Sequence, residues 1–487
     1  MRILLPHSRA AEGRRRPTTV QLVTPAASRP GRRVVIATAD VLGARMAGPA
    51  IRCRSMAVAL SAEHDVTLLS VATTCDLVDD RFRVLHTDHV GLAAAGADCD
   101  VLVVHGDLLA RCPSLVTTSA SVVCDLYDPF QLEALEQSRD LPETARRAAV
   151  RAATVTLNEQ AVRGDFFLCA SDKQRDFWLG TLGALGRINT GSYDDDETLR
   201  RLIDVVPFGT DARAPEHRDR VAKGVLPGVP EDAELLLWGG GVYNWFDPLT
   251  LVEAVHRLSR TRPRLRLLFL GMRHPNAEVP QMRMAAQLRR RCDELGLTGT
   301  VVHFNERWIA YDRRQDWLLE SDIGVSTHLD HVETAFSFRT RVLDYLWAGL
   351  PVVTTRGDTL SDLVESRGLG LTVPAGDVEA LVEALERLLD DDALRARCRE
   401  AVVALQPELV WDVALEPLLR FCRDPRRAAD LLDGDVVAGT RQPLRHPRAG
   451  LGGVRQDAHR VVDLVREHGW NGLAPRVVDG IRRRTSR

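Results

Sequence analysis

"ETAFSFRTRVLDYLWAGLPVVTT" (residues 333–355) passes from a charged segment into an apolar one within about six helical turns' worth of chain. Leu343, Leu346 and Leu350 recur at helical spacing, which predicts a helix over 337–348 with its apolar stripe buried. The run "LPVVTT" (350–355) then predicts a strand apolar on both faces. Arg341 and Asp344 lie three residues apart and share the helix's other face, while Arg339 is expected to turn well away from Arg341. On an isolated helix such charges would make a surface ion pair. Beside a crevice at the carboxyl ends of parallel strands, they have a ligand to hold.

The same alternation fills most of the 487 residues. Apolar runs at 34–39, 65–70, 82–87, 101–106, 121–127, 166–171 and 204–209 predict one parallel sheet. Residues 210–233 hold several Pro and Gly and no strand pattern, as a linker would. Runs at 234–240, 264–271, 300–305, 322–327, 350–355 and 369–374 predict a second sheet. Helical periods lie between the runs, and helices at 377–389, 391–405 and 408–421 close the unit. The expected organisation is a basic leader (1–33), a first lobe (34–209), the linker, a second lobe with a crossover helix (234–425) and a basic tail (426–487). In the tail, "QDAHRVVDLVREH" (456–468) places Ala458, Val461, Val462 and Val465 on one face, a candidate for peripheral membrane contact or for docking on the protein itself.

Composition narrows the functional classes. The formal net charge of −3 gives no field that favours nucleic acid, and no apolar run is long enough to span a bilayer. Only Lys173 and Lys223 are lysines, so arginine carries nearly all the positive charge. Nine scattered cysteines, without CxxC or Cys/His ligand spacing, indicate buried thiols in a reducing, cytoplasmic setting.

Two doubly wound lobes raise the question of a dinucleotide. Neither "ATADVLGARMAGPAIR" (37–52) nor "WGGGVYNWFDP" (238–248) has the GxGxxG spacing, and "LFLGMRH" (268–274) ends without a carboxylate for a ribose. The glycines suit a sugar-nucleotide diphosphate better. Gly48, and Gly240 with Gly241, sit at strand-to-helix turns of opposite lobes, where backbone N–H groups and a helix N-terminus can meet anionic oxygens.

These motifs, in this order over about residues 34–425, resemble the GT-B glycosyltransferases, especially the retaining family-four group. "FRTRVLDYLWAGLPVVTTRGD" (338–358) is similar to their donor-binding segment, and "LWGGGVYNWFDPLTLVEAVHRL" (237–258) to the opening of their donor lobe. The resemblance implies two Rossmann-like lobes around a cleft, with transfer of a sugar from a nucleoside diphosphate donor, without cofactor or metal, to a glycan, lipid-linked or small-molecule acceptor. Asp344 stands where the family's second glutamate holds the ribose. The first glutamate's position is Phe336, with Glu333 three residues upstream as its substitute. The family's phosphate-binding Arg/Lys pair is missing from "GGGVYNWFDP", so Arg339, Arg341 or Arg273 has to supply that charge. His105 matches a histidine facing the donor sugar, Asp125 or Asp128 is the candidate acceptor base, and Asn305 in "HFNERW" (303–308) lies where relatives cradle the base. Alternatives are an epimerase or hydrolase on this fold, or a non-catalytic sugar-nucleotide binding partner.

Overall fold

The computed structural model describes residues 31–274, 282–306 and 308–432. Almost all of the expected leader and tail, including the helix expected at 456–468, lies outside the described residues. Within them the two lobes belong to one compact unit.

Lobe 1 is a seven-stranded parallel sheet of β1 (Arg33–Thr38), β2 (Asp65–Ser70), β3 (Arg83–His86), β4 (Val101–His105), β5 (Ser121–Asp125), β6 (Phe166–Cys169) and β7 (Ile203–Val205). Its order is β3-β2-β1-β4-β5-β6-β7. Lobe 2 contains β8 (Glu234–Gly241), β9 (Leu265–Gly271), β10 (Val302–Phe304), β11 (Ile323–Ser326), β12 (Val352–Thr355) and β13 (Gly370–Val373), ordered β10-β9-β8-β11-β12-β13. Each predicted apolar run holds a strand, displaced by no more than about two residues at either end except at 204–209, where β7 stops at Val205, four residues early. The linker carries no helix or strand. In each sheet the winding direction reverses beside the first strand, between β1 and β4 and between β8 and β11, and these reversals open the crevices in which ligands bind.

The lobe 2 reversal is held apart by one side chain. β8 and β11 pair only through Ile323–Leu236 and Gly324–Leu237. Beyond that point the Tyr345 hydroxyl stands between them, 2.7 Å from Gly239 N, 3.1 Å from Leu237 O and 2.9 Å from Val325 O. Tyr345 belongs to the helix Thr340–Trp347, the core of the predicted 337–348 segment. Its ring is admitted because the strands beneath are bare: a Cβ on Gly324 would fall 2.3 Å from Tyr345 Cγ.

The tail is expected from residue 426, but the folded unit continues past it. Asp430, in the short helix Ala429–Leu432, forms a fully buried ion pair with Arg187 of lobe 1. Ala428 N donates to Asp165 Oδ1 at 3.1 Å. Two polar anchors thus return the chain to lobe 1 after the crossover helix Glu416–Arg423.

Tyr345→Phe strands the buried Gly239 N–H while leaving the ring in place. The expected cost is ~1–3 kcal/mol, read from the midpoint of urea denaturation, and an unchanged midpoint would show the bridge to be dispensable.

Candidate active site

The expected donor side is built around the β8 turn. Gly240 adopts φ +75°, the left-handed conformation that glycine enters freely, and it bends the chain toward the helix Pro248–Leu258. Arg341, in the first turn of the helix Thr340–Trp347, lays its guanidinium over Phe246 at 4.0 Å and Trp238 at 4.5 Å. Its Nη2 donates to Gly241 O at 2.7 Å. Among the described residues, the buried Nη1 has no hydrogen-bond partner and the side chain has no carboxylate. Burial lowers its pKa to about 10, so it remains a cation at neutral pH. A buried, carboxylate-free guanidinium beside a glycine turn is an arrangement suited to an anion.

Arg339 is not turned away from Arg341. It precedes the helix as its N-cap, with φ −77° and ψ 77°, so helical spacing does not govern its direction. Its guanidinium also covers Phe246, at 4.8 Å. Unlike Arg341 it is already paired, with Nη2 2.7 Å from Glu333 Oε2 and Nε 3.7 Å from Asp358 Oδ2. Arg273 is exposed on the loop after β9.

Asp344 does not pair with Arg341. It accepts from Arg314 Nε at 2.9 Å and keeps 42% of its side chain exposed. Arg314 is sandwiched between the Tyr311 and Trp347 rings at 3.7 and 4.3 Å, which fixes the carboxylate it holds. Asn305 ties strand ends together, Nδ2 donating to Leu270 O at 2.9 Å and N to Phe269 O at 2.8 Å. The neighbouring Trp308 packs on Gly271 and donates from Nε1 to Met46 O of lobe 1 at 2.9 Å.

On the lobe 1 side, the helix Gly48–Leu60 begins at Gly48 itself, with no side-chain cap on its first turn. His105 ends β4 and stacks on Tyr127, centroids 5.3 Å apart. Asp125 is corrected as a candidate base. Both its oxygens accept from Arg52, at 2.6 and 2.9 Å, and the pair is at most 1% exposed. Buried and held through both oxygens by Arg52, this carboxylate is closed to an acceptor.

Asp128 remains, and it has a partner that sequence reading missed. Its carboxyl faces that of Glu133, in the helix Phe130–Gln137, and each shifts the ionisation of the other. Burial pushes Asp128 up to about 6, against the opposing pull of His105 and of Glu133. Burial, then the charges of Asp128 and Glu333, hold Glu133 well above the usual carboxylate range. Burial of two neighbouring carboxyls favours holding a proton on the pair, with Glu133 raised further than Asp128. Glu333 approaches this pair from lobe 2, whereas Phe336 is occupied elsewhere, its ring packed on Phe177 at 4.7 Å. Nothing in the sequence marks Glu133: its helix is only 8 residues long and has no distinctive motif.

Residues 233–391 match the family model described as Glycosyl transferases group 1. D-inositol 3-phosphate glycosyltransferase of a Nocardioides species is 26% identical over 244 residues, 48% of this chain and 50% of that protein. The enzyme of the same name from Stackebrandtia nassauensis is 26% identical over 222 residues, 45% and 47% respectively. The chain thus aligns with about half the length of these curated relatives. Among solved structures, WaaG, a glycosyltransferase involved in lipopolysaccharide biosynthesis, superposes with a TM-score of 0.58 at 15% identity, covering 81% of this chain and 100% of that one. Anabaena Alr3699/HepE in complex with UDP and glucose gives 0.59 at 12% identity, covering 80% and 98%. These likenesses show the fold to be GT-B.

The carboxyl pair has a measurable signature. A folded-state pKa above the unfolded value means that the folded state binds the extra proton. Its contribution to stability is full below the unfolded value near 4 and is lost as pH rises through about 6. Asp128→Asn should therefore raise the melting temperature relative to wild type at pH 8, on the order of 2 °C, with the difference shrinking or reversing at pH 4.5. A pH-independent difference would show that Asp128 is not held in a destabilised charged state.

Proposed function

We propose that this chain, a GT-B protein whose residues 233–391 form a Glycosyl transferases group 1 domain, moves a sugar from a nucleoside diphosphate in lobe 2 to an acceptor hydroxyl presented by lobe 1. The observation that carries the reading is Arg341. A buried guanidinium without a carboxylate is costly, and here its free Nη1 lies at the strand-to-helix turn that lacks the family's usual cations. Two phosphates at that turn would supply the missing counter-charge. Asp344, steadied by Arg314, would accept the ribose hydroxyls from its exposed side.

In the transfer, the acceptor oxygen bonds to the anomeric carbon as the carbon–oxygen bond to the diphosphate breaks. The acceptor proton passes to Asp128, and the departing charge is met by Arg341 and the turn's N–H groups. Retention at the anomeric carbon is part of this reading, on the family resemblance alone. UDP is a reasonable first nucleotide to test, since Alr3699/HepE was crystallised with it. A glycan, lipid-linked or small-molecule acceptor is open to test, as is membrane contact through the tail, which lies outside the described residues. Among the described residues no helix is long and apolar enough to cross a membrane.

Arg341→Gln should weaken binding of the preferred nucleoside diphosphate about 10–100-fold and barely change binding of its monophosphate. It should do so without loss of stability, because the buried charge is removed as well. Calorimetric titration with both nucleotides and a thermal melt check this. A wild-type affinity ratio would sink the phosphate assignment. Asp344→Ala should cost ~1–3 kcal/mol for both nucleotides alike, since the ribose is common to them. An unchanged affinity would remove Asp344 from the donor site.

A further inference from the structure

Tyr243 lies two residues beyond Gly241, in the turn whose residues carry no charge until Asp247. Its ring folds back over that turn: a Cβ on Gly241 would meet the ring edge at 2.9 Å and the hydroxyl at 3.1 Å. The ring stacks on Trp245, centroids 5.0 Å apart and 6° from parallel, and tilts against Phe246 at 5.9 Å, the same ring that Arg341 covers. Aromatic packing therefore sets where the hydroxyl points. Arg341 of lobe 2 is bonded to the carbonyl of the same Gly241, and the charges of Glu133, Asp40 and Asp128 of lobe 1 also act on the phenol. The hydroxyl thus shares the Gly241 turn with the lobe 2 cation.

We propose that the Tyr243 hydroxyl donates a hydrogen bond to the sugar-proximal phosphate of the bound diphosphate, alongside Arg341 Nη1. This rests on the reading that lobe 2 holds a nucleoside diphosphate sugar. Three observations meet here. The turn supplies no lysine or arginine, Arg341 is buried with an unpartnered nitrogen, and the Tyr243 hydroxyl and Arg341 flank the same residue, Gly241, the one 3.1 Å from where its Cβ would be and the other bonded to its carbonyl. Burial and the neighbouring carboxylates keep the phenol protonated, so against a phosphate oxygen it acts as donor. A neutral donor also suits a position faced by Asp128. A second cation there would pair with that carboxylate, which the transfer needs free.

The test is Tyr243→Phe, which keeps the stacked ring and deletes only the hydroxyl. Wild type is first titrated with ADP, CDP, GDP, UDP and dTDP and with the matching monophosphates. The best-bound pair is then measured on the variant. The expected result is a loss of about tenfold in diphosphate affinity, with monophosphate affinity and melting temperature unchanged. A phenylalanine variant that keeps the wild-type ratio of the two affinities overturns the role of Tyr243 and leaves the proposed function standing. A wild type that binds none of the diphosphates overturns the proposed function itself, and this inference with it. Tyr243→Leu, which also loses the stack, should lower the melting temperature, separating a packing defect from a lost donor.

Discussion

The Tyr345 hydroxyl, lodged where β8 and β11 part, is the contact on which the donor half of the molecule depends. Because it bonds backbone groups of both strands, the helix that carries it cannot slide or rotate. Arg341 is one helical turn earlier and is thereby carried to the β8 turn, while Asp344 is left at the half-exposed edge against Arg314. Gly324 is the enabling residue, since a side chain there would occupy the volume of the tyrosine ring, and a Cβ on Gly239 would crowd it at 3.2 Å. Lobe 1 solves the corresponding problem with charge. Arg52 ties its helix to Asp125 at the end of β5 and to the carbonyls of Val206 and Pro207 beyond β7, with its guanidinium over Tyr127 and Phe208. Such a pair is tolerable in the interior because nearly every donor is used; removing one partner would strand the other.

What sequence alone could reach follows from how local each signal is. Parallel strands covered on both sides write themselves as short apolar runs, and every such run holds a strand. Helices with a strong stripe, such as Val378–Asp390, are equally plain. The helices His89–Ala97, Phe130–Gln137 and Val332–Phe336 are short or nearly uniform in character, and they had no periodicity to read. The site was less accessible than the fold. Asp125 looks like a free carboxylate at a strand end until Arg52, 73 residues earlier in the chain, is found beneath it. Arg339 obeys capping geometry, where helical spacing misleads. Glu133 is raised by burial, by Asp128 five residues earlier and by the distant Glu333, and no local pattern announces it or the Tyr243 of our proposal.

The lobes meet through backbone groups as much as through side-chain pairs. Gln174 Nε2 bonds Tyr127 O of lobe 1 at 2.8 Å and Phe336 O of lobe 2 at 2.7 Å, and Trp308 reaches Met46 O. At the cleft's rim Arg283 and Asp140 form an exposed ion pair at 2.7 Å, the kind that salt weakens. Beside these contacts Tyr127, Ala170 and Phe208 of lobe 1 share one apolar core with Leu235, Val342 and Leu346 of lobe 2.

The scarcity of lysine has a practical consequence. Lys173 is exposed in lobe 1 with Nζ 3.4 Å from Gly357 O of lobe 2, whereas Lys223 is half-buried in the linker and paired with Asp322 at 2.8 Å. No other side-chain amine exists in these 487 residues. Beyond the chain's α-amine, amine-reactive fluorophores or cross-linkers would therefore report, without any engineered cysteine, from one point on the seam between the lobes and one on the segment that joins them.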